Sequence, residues 1–157
     1  HNASVRIAGH NIKLGRGGIR EIEFFTQIHQ LIWGGREPVL RNRPTCETLR
    51  QLNAHGLVAD ADLQLLLEAY GFYRQLEHRL QMVADEQTHS MPESDEGVAM
   101  IASFMGFSAK EAFCDMLLDM LTRVHALYAS SFKSAATEGA RELGAEGNLV
   151  FTGTVHD

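Results

Sequence analysis

From Asp60 to Ala84 the apolar residues return at the spacing of one helix face. Leu63, Leu66, Tyr70, Tyr73, Leu76, Leu80 and Val83 form the stripe, and Leu67 widens it. An amphipathic helix of that length must cover its apolar stripe with another element. The same period recurs on both sides. Ile19, Ile22, Phe25, Ile28 (with His29) and Ile32 predict a helix from about Ile19 to Trp33, ended by Gly34 and Gly35. Ala112, Phe113, Met116, Met120, Val124, Leu127 and Tyr128 predict a second long partner running to about Ala136, with Ser108 and Glu111 as its capping box. Two shorter helices fit between, about Thr45 to His55, stopped by Gly56, and Ser94 to about Met105, closed by Gly106. No strand alternation competes before Leu149. The expected fold is all-α: an antiparallel up-and-down helical bundle of about five helices, three long and two short.

Finer expectations follow. Asp60 reads as an N-cap. Gly71 costs roughly 1 kcal/mol inside a helix unless close packing offsets it. Residues 1–18 hold an extended lead-in (to about residue 12) and a glycine-rich motif, 19–136 the bundle, and 137–157 a Gly-, Ala- and Glu-rich linker toward a next domain. Arg36, Pro38, Arg41, Arg43 and Pro44 belong to a basic loop, and Asp85 to Pro92 to another loop. Leu149 to Val155 forms a strand only with a partner.

At 157 residues and 45% hydrophobic content, the chain suits one domain with a substantial core. A net charge of −6 argues against general nucleic-acid binding. No apolar run nears the roughly 18 residues that span a bilayer, and no secretory signal stands at the start, so a cytoplasmic protein is expected. Cys46 and Cys114 are isolated from any metal-ligand pattern and read as reduced, buried thiols. Among the eight histidines the nearest helical carboxylate pairing is Asp85 with His89, too few ligands for a metal site. His29 and His125 lie on apolar stripes and read as hydrogen-bonded core or interface residues.

The charge is uneven: residues 1–43 carry seven Lys or Arg against three Glu, and the remainder seven against seventeen acids. Inside the basic end lies Asn11-Ile12-Lys13-Leu14-Gly15-Arg16-Gly17-Gly18-Ile19-Arg20-Glu21-Ile22-Glu23-Phe24-Phe25. Three glycines within four residues open into a helix beside Lys13 and Arg16. Such a loop either holds an anion on helix-start amides or makes a tight turn into the helix. It matches neither common phosphate-loop fingerprint.

The wording of this motif resembles a signature of the glutamine synthetase adenylyltransferase family. Gly34-Gly35-Arg36-Glu37-Pro38, the block Tyr73 to Gln81, and Asp85 to His89 followed by Pro92 agree in order and spacing, so the resemblance covers residues 5 to about 134. The resemblance implies a nucleotidyltransferase-associated helical domain, and Arg20-Glu21 resembles the one that follows the N-terminal, adenylyl-removing half. It further implies an adjacent nucleotidyltransferase domain, Mg with ATP or ADP in the parent enzyme, and glutamine synthetase and the PII signal protein as partners. By the same resemblance, Lys13, Gly15, Arg16, Gly17 and Gly18 contact nucleotide phosphate, and Arg20, Glu23, Arg74 and Glu77 support the motif, with Arg74 and Glu77 bracing Arg20 or Glu23.

The resemblance also implies that the catalytic domains of this superfamily present a Gly-Ser or Gly-Gly pair, then two carboxylates one residue apart on a strand, which hold the metal ions. Asp60 with Asp62 and Glu21 with Glu23 have the spacing but follow no glycine-serine turn, and on a helix such pairs diverge. No catalytic residue is therefore assigned, and the chain alone is expected to be inactive. Two other readings stay open: a docking or regulatory module without nucleotide contact, and the equivalent domain of PII uridylyltransferase.

Overall fold

The computed structural model describes residues 2–34 and 44–146. They form six helices: α1 (Asn2–Ile7), α2 (Ile19–Gly34), α3 (Thr45–Ala54), α4 (Asp60–Ala84), α5 (Asp95–Phe104) and α6 (Lys110–Glu146). The architecture is all-α, and among the described residues the one extended pairing is an isolated antiparallel bridge, Asn11 to Ser90.

The core is built where the stripes meet. Ile19, Ile22 and Phe25 of α2, Leu66, Tyr73 and Leu76 of α4, and Phe113, Leu117 and Val124 of α6 are all buried. Phe72, Phe107 and Phe113 join α4 to α6 through ring centroids 5.4–6.4 Å apart, a favoured aromatic spacing. α2 and α4 keep their expected bounds.

The stripes are rotated in places from the expected faces. Val83, Met116 and Ile32 are exposed and Ala112 is exposed, while Ala69, Cys114 and Leu121 are buried instead. α6 packs against α1, α2, α4 and α5, so its core face is broader than a single stripe.

Several local expectations are corrected. Residues 2–7 are helical, not extended, because burying Ala3, Ser4 and Ile7 rewards the turn. Asp60 is the first helical residue rather than the cap. Ala59 occupies the cap without a side-chain bond, and Asp60 accepts from Asn53 Nδ2 at 2.8 Å. Gly71 is exposed and a Cβ there would meet nothing within 4 Å, so no close packing explains it. Ser108 and Glu111 form no capping box, since α6 begins at Lys110 and no bond joins them. α6 also runs on past Ala136 to Glu146, where Ala, Glu and Arg favour helix. Ser94 does cap α5, accepting from Gly97 N at 3.0 Å. Cys114 is buried and Cys46 half-buried, both free thiols, and burial raises both above their ordinary value. The basic loop from Arg36 to Arg43 and the strand expectation at Leu149 to Val155 lie outside the described residues.

Candidate functional site

The glycine loop closes on itself. The Asn11 side-chain oxygen accepts from Lys13 N at 2.9 Å and Leu14 N at 2.8 Å, a turn that Asn favours. Gly15 N donates to Asn11 O at 2.8 Å, Gly18 N to Gly15 O at 3.1 Å, Ile19 N to Ile12 O and Arg20 N to Lys13 O, both at 2.9 Å. The glycines are there for close approach. Gly17 has φ +75°, and a Cβ on it would lie 2.0 Å from the Leu121 carbonyl oxygen of α6; one on Gly18 would lie 2.1 Å from Ile12 O.

Gly17 N donates to Glu21 Oε1 at 2.8 Å, and His125 Nδ1 donates to the same carboxylate at 3.0 and 3.3 Å. The anion at the start of α2 is thus the protein's own Glu21, and the Gly15, Gly17 and Gly18 amides are engaged within the fold. That corrects the backbone-cradle expectation. What remains for an external anion is side-chain charge: Arg16 is exposed, Lys13 half-buried, and neither belongs to an ion pair among the described residues.

Beside the loop lies a cleft of about 330 Å³. Arg6 of α1, with His10 and Arg16 of the connection to α2, lines one wall; Thr122 and His125 of α6 line the other, over Leu118 and Leu121. His10 Nε2 donates to Arg16 O at 3.2 Å. Burial holds this imidazole below its usual value, outweighing that bond and the Glu21 charge. Of these residues the sequence singled out Arg16 as a binding residue and His125 as a helix-stripe histidine. Leu118, Leu121, Thr122 and His125 share one helical face by their spacing, a legible signal; that Arg6 and His10 face them depends on the unexpected α1. Lys13 does not line this cleft.

The supporting cluster is arranged differently from expectation. Arg20 pairs with Glu23 at 3.4 Å along α2, and Arg74 with Glu77 at 3.6 Å along α4. No ion pair joins the two helices here; Tyr70 does so instead, donating to Glu23 Oε2 at 3.2 Å while Arg74 covers its ring at 5.7 Å. Buried Glu77 bonds His89 Nδ1. The His89 carbonyl accepts from Ile12 N at 2.7 Å, and Met91 N donates to His10 O at 2.8 Å. The Asp85 to Pro92 loop is therefore the clamp that holds the glycine loop against α4. His29, half-buried, bonds the Phe25 carbonyl at 3.0 Å and lies over its ring, a hydrogen-bonded stripe residue as expected.

Glu21 turns to α6 and Glu23 to α4, so the pair diverges as helical geometry requires. Among the described residues no three His, Cys, Asp or Glu converge on one point, and no helix is long and apolar enough to cross a membrane.

Fold and site define a class: an all-helical domain with a cation-lined cleft beside a glycine-tight loop, whose Glu21 and Glu23 carboxylates turn to different helices. The chain belongs to the family whose model is described as GlnD PII-uridylyltransferase, which matches residues 1–132. It is also similar to the bifunctional glutamine synthetase adenylyltransferase/adenylyl-removing enzymes of Brucella melitensis, 47% identical over 99% of the chain, and of Mesorhizobium japonicum, 49% over 99%. The Xanthobacter autotrophicus enzyme is 51% identical over 84% of it. The chain spans only 13–16% of the length of these relatives.

Proposed function

We propose that this chain is the helical domain of an enzyme that adenylylates and deadenylylates glutamine synthetase, acting in the cytoplasm beside a nucleotidyltransferase domain of the same protein. The observation that carries this reading is the identity of 47–49% along 99% of the chain to enzymes so named. Lys13 and Arg16 would present charge to nucleotide phosphate at the wall of the adenylyl-removing centre, with ATP or ADP and magnesium held by the catalytic domain. The Glu21 and Glu23 carboxylates diverge and are bonded within the fold, which supports placing magnesium there. Glutamine synthetase is the proposed substrate and PII the proposed signal.

Lys13→Ala in the intact enzyme tests the reading. Adenylyl removal should fall by one to two orders of magnitude, about 1.4–2.8 kcal/mol of transition-state stabilisation, with adenylyl transfer nearly unchanged. The separate 157-residue chain should release no ADP from adenylylated glutamine synthetase and phosphate. Normal removal by Lys13→Ala would reduce the loop to a turn; loss of transfer instead would place the domain in the other half. The family description favours one second reading, the same domain in a PII uridylyltransferase, which UMP rather than AMP transfer by the intact protein would establish.

A further inference from the structure

We propose that the cleft between α1, the glycine loop and α6 is a binding site for a phosphate group, either free orthophosphate or the phosphate of a mononucleotide. Arg6 and Arg16 come from separate elements and line one cavity without a carboxylate partner among the described residues. Both side chains are exposed and offer unpaired charge that an anion in the cleft can meet. Glu21, at the start of α2, is taken up by Gly17 N and His125 Nδ1. That bond leaves Nε2 as the free nitrogen of His125, one turn from the Thr122 hydroxyl on the same wall.

His10 steadies the Arg16 backbone through its bond to Arg16 O. Two guanidinium forks, a hydroxyl and an imidazole are the donor set a tetrahedral oxyanion takes, and guanidinium binds phosphate oxygens in pairs. A volume of about 330 Å³ admits one small ligand rather than a nucleic-acid strand. The Leu118 and Leu121 floor offers an apolar surface to the sugar or base when the phosphate belongs to a nucleotide. This inference shares Arg16 with the proposed nucleotide-phosphate role but needs no catalytic domain. Lys13 takes no part in it, and binding is read on the 157-residue chain itself.

Calorimetric titration of that chain with orthophosphate, and separately with AMP, at fixed ionic strength provides the test. Saturable one-to-one binding is expected, weakened about ten-fold or more by Arg6→Gln and by Arg16→Gln, a factor that corresponds to about 1.4 kcal/mol each. Thr122→Val, which changes no charge, should weaken binding several-fold. Arg123→Gln, adjacent on α6 but paired with Asp119 and outside the cleft, should leave it unchanged. Circular dichroism on each variant checks that the helices persist; Arg6 and Arg16 are exposed, so their loss spares the core. Tighter binding of AMP assigns a nucleotide ligand, and preference for orthophosphate assigns the free anion. No saturable binding of either, an unchanged Thr122→Val, or an equal loss in Arg123→Gln would overturn the site.

Discussion

At the scale of single residues, the glycines separate into those with another element pressed on them and those without. Gly17 sits at positive φ with a Cβ position 2.0 Å from the Leu121 carbonyl oxygen. Gly17→Ala should therefore destabilise by about 3 kcal/mol or more, from left-handed strain together with overpacking. Gly71, mid-helix on the exposed face of α4 with nothing near it, should respond in the opposite sense. Gly71→Ala should stabilise by up to about 1 kcal/mol. Urea unfolding of both variants checks the pair, and similar effects of one sign would contradict it. Sequence marks a glycine but not its neighbour across the fold. For that reason the glycine motif was legible as a feature, while its division into packing surface and charged rim was not.

Elements divide along the same line. The limits of α4 were legible because a long stripe on one period is a local property, and a local rule decides it. α1 was not legible: six residues are too few to hold a helix by themselves, and their helicity comes from docking Ala3 and Ile7 into the core. Ile7→Ala should thus cost about 2–5 kcal/mol, measured by thermal or urea unfolding; a change below about 0.5 kcal/mol would mean α1 is not docked. For a related reason the apolar spacing on α6 points to Met116, which is exposed. A helix touched by four others buries more than one stripe, and periodicity alone cannot rank the candidates. The candidate cleft inherits both difficulties, since its charged wall depends on α1 and its other wall on the rotation of α6. Arg16 was found because it stands inside a motif; Arg6 and His10 have no such local mark.

For the whole molecule, His10 links stability to acidity. Burial holds its folded value below 6.5, so on acidification the unfolded chain takes up a proton that the folded chain resists. Its contribution is complete above about pH 6.5 and is lost as pH falls through the folded value. Urea midpoints between about pH 5 and about pH 8 should fall toward acid, and less steeply in His10→Gln; parallel curves would remove His10 from the account. The clamp between Ile12 and His89 has a kinetic consequence. Its two halves lie far apart along the chain, and closing so long an excursion forfeits entropy until the intervening helices have docked. The glycine loop should accordingly be among the last regions ordered during folding, with no independent existence as a small subunit of structure. A molecule captured there would then not merely quiet a loop. By mass action it would lower the population of the fully unfolded chain itself.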